Sequence, residues 1–171
     1  MSAVPGLPAR LAAAALLILS PLALAAEGPL PVRLVEAARG EEVRLEAGAA
    51  ALHVFFFAVW CEPCLRQIPQ LAETADRWRD AGYRLVLVGV PERQSAERLA
   101  RFAAESAPPG EVLFDASGEA SRAFSVERIP EHVLLDSGGR VVARGPVPEA
   151  VGDDEIRRAL PSGPAREERA P

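Results

Sequence analysis

The chain has 171 residues, a formal net charge of −5 and 19 basic side chains, all of them arginine. This length suits one domain with a full hydrophobic core. The mildly acidic balance and the lack of basic clusters argue against nucleic acid as a partner.

The first 25 residues are predicted to be a signal peptide rather than part of the fold. Arg10 is their only charge, residues 11–24 are apolar apart from Ser20, and residues 23–25 have the small-x-small pattern of a cleavage site. We expect cleavage after Ala25 and export to the periplasm or elsewhere outside the cytoplasm. The alternative is an uncleaved membrane anchor, although the apolar run is short for a span of about 20 residues.

The next elements in chain order are a hairpin, a buried strand and a helix. Alternating apolar and polar residues predict a half-exposed hairpin from 32–35 and 43–46. The apolar run 51–59 predicts a central strand covered on both faces. The helix after it is expected to run from 61 to about 80, with a kink at Pro69.

Short strands and helices alternate in the second half of the chain. The predicted elements are a strand at 84–90, a helix at 95–106, a strand at 112–114, a short helix at 117–124, a hairpin of 132–136 with 140–143, and a last helix at 153–160. The whole order predicts an α/β fold with a central mixed sheet flanked by helices. We take 26–160 as the folded domain and the polar, proline-rich residues 161–171 as a disordered tail.

The two cysteines of the chain, Cys61 and Cys64, lie at the start of the helix that follows the central strand. A disulfide between them closes a very small loop and adds little stability, so redox chemistry is the expected role. The helix start should ionise Cys61, the predicted attacking thiol, and Cys64 should resolve the mixed disulfide. Pro63 suits an early helical position. Trp60 is expected to shield one side of the pair, or else to be a plain aromatic at the core edge.

Residues 60–64, with the sequence Trp-Cys-Glu-Pro-Cys, resemble the active site of the thioredoxin superfamily. The other mark of that superfamily is a cis-proline opposite the disulfide, and Ile129-Pro130 before the predicted strand matches it. The resemblance implies that Pro130 is cis and that Ile129 offers backbone hydrogen bonds to an extended substrate. The alternative is an ordinary trans proline that opens a strand.

More narrowly, the chain is similar to the exported TlpA/ResA/DsbE group. The shared features are the export signal, the N-terminal hairpin, a helical insertion at 91–109 and the ending at 134–146. The resemblance implies an extracytoplasmic protein disulfide reductase that receives electrons from a membrane thiol carrier, with apocytochrome c among its substrates. It implies no cofactor beyond the disulfide, and we expect a monomer.

Two positions depart from the family pattern. Thioredoxins carry a buried aspartate where this chain has Phe55, and many exported relatives carry a glutamate where it has Gln67. Glutamine cannot take a proton, so exchange is expected to be slower or to use water or another carboxylate, such as Glu62. Glu62 should also disfavour the thiolate and make the pair more reducing; alternatively it is a solvated residue at the helix start.

The chain contains two histidines, His53 and His132. An imidazolium at His132 could approach the dithiol and favour the thiolate, or the residue is only a polar position near a strand start. We expect His53 to be a strand residue whose hydrogen bonds are satisfied.

Three other functions stay open at this point. The pair could oxidise its substrates instead of reducing them. Two thiolates and a histidine could form a copper-binding or other metal-binding module on a thioredoxin-like frame, although we assign no metal ligand. A peroxidase is the third alternative, although peroxidatic cysteines lie in a different loop.

Overall fold

The computed structural model describes residues 30–48 and 51–160. The predicted signal peptide 1–25 and the predicted tail 161–171 lie outside this part of the chain, and both stay predictions. Within the described ranges, no helix combines the length and the apolar character that a membrane crossing needs.

Seven strands and five α-helices form within the described residues. The strands are β1 (Val32–Glu36), β2 (Glu42–Leu45), β3 (Ala51–Phe57), β4 (Tyr83–Gly89), β5 (Glu111–Phe114), β6 (Glu131–Leu135) and β7 (Val141–Gly145). The helices are α1 (Glu62–Leu65), α2 (Ile68–Trp78), α3 (Ala96–Ser106), α4 (Glu119–Ala123) and α5 (Asp153–Ala159). Short 3-10 turns at Arg79–Ala81 and Pro148–Val151 were not predicted, because a single turn has no hydrophobic period to recognise.

The strands form one mixed sheet in the order β2-β1-β5-β4-β3-β6-β7. The neighbouring strands β3, β4 and β5 run parallel, with α3 in the crossover between β4 and β5. The strands at both edges pair antiparallel to their neighbours. The predicted α/β class and the mixed sheet are confirmed.

The long helix predicted at 61–80 is interrupted. It divides into α1 and α2, and Gln67 is the N-cap residue that directly precedes α2. Pro69 has no N–H to donate, and its ring would collide with the carbonyl of Leu65 in a continuous helix, so the break falls just before the proline rather than at it. The interruption leaves Gln67 three residues beyond Cys64, outside regular helix.

Strand β3 is the centre of the core, and all seven of its residues are buried. Phe55, Phe56 and Phe57 have no exposed surface, and burial of each such ring contributes about 1.5–3 kcal/mol. The chain leaves the sheet after Phe57 and reaches Cys61 four residues later. The most heavily buried strand therefore anchors the start of α1.

Candidate active site

Cys61 caps the N-terminus of α1. Its backbone is extended, with φ −89° and ψ 94°, and its N–H donates to the Ala58 carbonyl at 3.0 Å. The Cys64 N–H donates to Cys61 Sγ at 3.3 Å. The sulfur thus takes the place that a side-chain oxygen holds in an ordinary N-cap. This N–H can stabilise a thiolate at Cys61, and Pro63 in the same turn lacks an N–H that would need a partner.

The two sulfurs are joined in a disulfide, and they differ in accessibility. The Cα atoms of Cys61 and Cys64 lie 5.3 Å apart. Cys61 is 6% exposed, whereas Cys64 has no exposed surface. Of the two residues, only Cys61 therefore presents any surface to a partner molecule.

The helix behind Cys61 is shorter than the sequence predicts. Since α1 has four residues, few peptide dipoles are aligned behind the sulfur. The direct N–H contact from Cys64 is consequently the main local source of thiolate stabilisation.

The Ile129–Pro130 peptide bond is cis, as the resemblance implies. Ile129 contributes to a cavity of about 340 Å³ whose apolar lining also includes Trp60, Val90 and Val126. This cavity joins the segment before Cys61 to the loop that contains the cis bond.

Trp60 lies on the surface rather than at the core edge. It is 38% exposed, and its Nε1–H donates to the Glu92 carbonyl at 2.8 Å. The guanidinium of Arg93 stacks over the ring, 3.9 Å from its centroid. The indole is therefore held in one orientation while part of it remains open to a partner.

Glu62 is turned toward solvent. Its side chain is 83% exposed and forms an ion pair with Arg66, one helical turn further on. Solvent and this counter-charge both weaken its field at the sulfurs. This geometry agrees with the simplest of its three predicted roles, a solvated residue at the helix start.

Phe55 and His132 face each other across β3 and β6. Their rings stack with centroids 4.5 Å apart and planes 27° from parallel. Phe55 stands where thioredoxins carry a buried aspartate, so an aromatic ring packed on an imidazole occupies this position.

A chain of hydrogen bonds runs from β4 to Gln67 through both histidines. Its four links are Tyr83 Oη with His53 Nδ1 (2.5 Å), His53 Nε2 with His132 Nδ1 (3.0 Å), His132 Nε2 with Gln67 Oε1 (2.7 Å), and Gln67 Nε2 with the Pro146 carbonyl (3.1 Å). Both histidines are buried. Among the described residues, every buried side-chain nitrogen and oxygen has a partner. His53 is a satisfied strand residue, as predicted.

Burial keeps both histidines neutral at pH 7. It lowers the pKa of His132 to about 4, a shift that the negative charge of Glu149 only partly opposes. Burial, and then repulsion from His132, lowers the pKa of His53 well below its ordinary value. Of the two interpretations of His132, the imidazolium does not agree with this low pKa at neutral pH, because the site offers no counter-charge strong enough to offset desolvation.

The sequence interpretation missed Tyr83 and Pro146 as partners in this network. One signal was available: His53 lies within an apolar, fully buried strand, where an imidazole needs hydrogen bonds to both nitrogens. That requirement predicts the existence of partners but not their identity.

The fold and the site together define a thioredoxin-like protein with a Cys-x-x-Cys disulfide and a cis-proline before β6. The chain belongs to the Redoxin family, whose family model matches residues 25–160.

Its sequence relatives include thiol-disulfide oxidoreductases named ResA. Identity to the protein from Bacillus thuringiensis subsp. konkukian is 24% over 87 residues, covering 51% of this chain and 49% of the relative. Identity to ResA of Bacillus subtilis is 25% over 113 residues, covering 66% and 62%. The match to the first of these relatives thus spans about half of that protein's length.

A solved structure from Chlorobium tepidum, assigned as a thiol:disulfide interchange protein DsbE, has the same fold. The TM-score is 0.65 at 22% identity, covering 79% of this chain and 96% of that one. Together with the ResA relatives, this neighbour confirms the predicted kinship with ResA- and DsbE-like proteins of the thioredoxin superfamily. The relatives also support the predicted class of thiol-disulfide oxidoreductase.

Proposed function

We propose that this protein is a thiol-disulfide oxidoreductase that works outside the cytoplasm and reduces disulfides in exported proteins. One observation carries the proposal: Cys61, at a helix start, keeps a small exposed fraction of 6%, whereas Cys64 is completely buried. That asymmetry suits a pair in which one thiol attacks and the other resolves.

Reduction of a substrate begins at Cys61. Its thiolate attacks one substrate sulfur, the substrate S–S bond breaks, and the second substrate sulfur leaves as a thiolate that takes a proton from water. Cys64 then loses its proton and attacks Cys61 Sγ, which releases the first substrate sulfur. The substrate gains two electrons, and the protein is left with the Cys61–Cys64 disulfide present in the structure.

The cavity lined by Trp60 and Ile129 is the proposed contact for the substrate polypeptide. The apolar part of its lining, which includes Trp60 and Ile129, suits a hydrophobic side chain near the attacked disulfide, and polar and charged residues complete the lining. Ile129 also precedes the cis bond to Pro130. We assign to the Ile129 backbone the hydrogen bonds to an extended substrate segment that the resemblance implies.

Export, electron supply and the preferred substrate follow from the resemblance and the predicted signal peptide. A dithiol outside the cytoplasm needs a source of electrons, and a membrane thiol carrier is the proposed donor. Apocytochrome c is the proposed substrate among exported proteins. The protein is proposed to act as a monomer, with the disulfide as its only redox group.

Two cysteine variants test the mechanism. Cys61→Ala is expected to abolish reduction of insulin disulfides, because the accessible nucleophile is lost. Cys64→Ala is expected to accumulate mixed disulfides that non-reducing electrophoresis detects, because the resolving thiol is lost. Full turnover in either variant would contradict the assigned roles.

The reduction potential of the pair tests the direction of electron flow. Equilibration with glutathione should give a value near that of thioredoxin, about −270 mV. A value close to about −120 mV, typical of a strong oxidant, would reverse the assignment.

Copper or zinc retained after purification under reducing conditions would favour the metal-binding alternative, and peroxide consumption would favour the peroxidase alternative.

A further inference from the structure

The end of the hydrogen-bond chain at Pro146 determines its direction. A carbonyl oxygen can only accept, so the amide NH₂ of Gln67 must face Pro146, at 3.1 Å. The Gln67 Oε1 then faces His132 Nε2 at 2.7 Å. Since that oxygen is also only an acceptor, His132 carries its proton on Nε2.

The same reasoning assigns the second histidine. A neutral His132 with its proton on Nε2 accepts at Nδ1, so the His53 Nε2 that faces it at 3.0 Å must carry a proton. His53 Nδ1 then accepts from the Tyr83 hydroxyl at 2.5 Å. Both rings are Nε2–H tautomers, and all four donors point from Tyr83 toward Pro146.

This chain ends beside the buried half of the dithiol. The Gln67 N–H donates to the Cys64 carbonyl at 3.1 Å, in the break between α1 and α2. The Gln67 side chain is held from two sides, by His132 on β6 and by Pro146 after β7. The turn that carries the Cys64 sulfur is thereby tied to the sheet through neutral groups only.

We propose that His132 is a positioning residue for Cys64: it holds Gln67, and through Gln67 the turn that presents the buried sulfur to Cys61. The inference rests on the proposed function, in which Cys64 resolves the mixed disulfide. Resolution needs the Cys64 sulfur to approach Cys61 in line with the substrate bond, and small misplacements of reacting atoms slow such steps strongly. The first attack, by Cys61, does not require the Cys64 sulfur to approach any reacting atom, so it should be less sensitive to the position of Gln67.

The test compares the two chemical steps in His132 variants. His132→Leu removes the donor to Gln67 and should prolong the life of a preformed mixed disulfide about tenfold, while the rate of Cys61 alkylation should change much less. His132→Gln keeps an N–H of similar reach and should restore rapid resolution. Gln70→Ala is the matched control, since Gln70 lies one turn along α2 and bonds Glu149 instead; resolution in it should match wild type.

A spectroscopic measurement on the unmodified protein covers the case in which His132→Leu fails to fold. Nitrogen-15 shifts of the two imidazoles should show Nε2–H tautomers at both His53 and His132, and the His132 signals should move when the disulfide is reduced. A proton on Nδ1 of His132, or imidazole signals indifferent to the redox state, would overturn the inference.

The outcomes for this inference and for the proposed function are distinguishable. Failure of Cys64→Ala to trap mixed disulfides would refute the assignment of the resolving thiol itself. Trapping by Cys64→Ala combined with wild-type resolution in His132→Leu would refute only the positioning role of His132.

Discussion

Within residues 30–48 and 51–160, the apolar interior contains two polar clusters that are built in opposite ways. In one, the buried carboxylate of Asp115 accepts from the Ala120 N–H at 3.1 Å and from the Ser121 N–H and hydroxyl, both at 2.7 Å. In the other, neutral side chains connect Tyr83 to Gln67 through the two histidines. The first cluster lies within one short stretch of chain, whereas the second joins β4, β3, β6 and the α1–α2 break.

The contrast shows how burial selects the polar group. A carboxylate is tolerated inside where free N–H groups at the start of a helix converge on it, as those of α4 do on Asp115. No such donors surround the histidines, so they stay uncharged and satisfy one another. The Asp115 cluster stabilises a helix end, while the histidine chain ends at the turn that carries Cys64.

Acid should destabilise the histidine chain before it affects the Asp115 cluster, and this is the largest effect that we expect. Unfolded histidine has a pKa near 6.5, whereas the pKa of folded His132 is about 4. The unfolded state therefore binds more protons between these values, and the free energy of unfolding falls as the pH decreases through this window. His132 alone should lower it by roughly 2 kcal/mol between pH 7 and pH 5, and His53 acts in the same direction.

Urea unfolding at pH 7 and pH 5 measures this loss. A His132→Gln variant, which cannot titrate, should retain only the contribution of His53. The carboxylates whose pKa is lowered, Asp136 and Asp153 among them, lose their contribution only at lower pH. Equal stability of the wild type at both pH values would show that the histidines are not buried as neutral groups.

Replacing one carboxylate oxygen of Asp115 by an amide nitrogen tests the other cluster, and the expected loss of stability is smaller than that caused by acid. Asp115→Asn turns one acceptor into an NH₂ that faces the donors of Ser121, and should cost about 1–2 kcal/mol of unfolding free energy. Thiol-disulfide exchange at pH 7 should remain at the wild-type rate, because the cluster does not touch the dithiol. Asp76→Asn is the control, since the Asp76 side chain is 70% exposed in a surface ion pair; its stability should be unchanged. Slower exchange in Asp115→Asn would show that the clusters are coupled.

The exposed charge of Glu62 belongs to neither cluster, and its removal should have the smallest effect of the three changes. Glu62→Gln removes a negative charge next to the dithiol, which favours the thiolate and raises the reduction potential. Because Glu62 is solvated and paired with Arg66, the rise should be less than about 10 mV, against the 30 mV that corresponds to about 1.4 kcal/mol for this couple. Equilibration with glutathione measures it, with the exposed Glu73→Gln on α2 as control. A shift of several tens of millivolts would give Glu62 the tuning role that its exposure argues against.

Features that depend on neighbouring residues were predictable from the sequence. The spacing of Cys61 and Cys64, the alternation of strand and helix patterns, and the resemblance around Ile129-Pro130 each involve a short stretch of chain. The fold class, the mixed sheet and the cis bond were predicted on that basis. The break of the long helix was anticipated only as a kink, because Pro69 reveals that a helix is disturbed but not how the chain continues around it.

By itself, the sequence determined which thiols lie together and which helix start receives them, since a period of two or 3.6 residues and a two-residue spacing are local properties. Only the tertiary structure decided the charge state of the histidines and the partner of Gln67. Those depend on contacts between residues 30, 79 and 65 positions apart in the chain. The physical reason is that desolvation depends on where a residue lies in the folded molecule. The surroundings of a histidine determine whether it is charged or neutral, and here they come from strands that are distant in sequence.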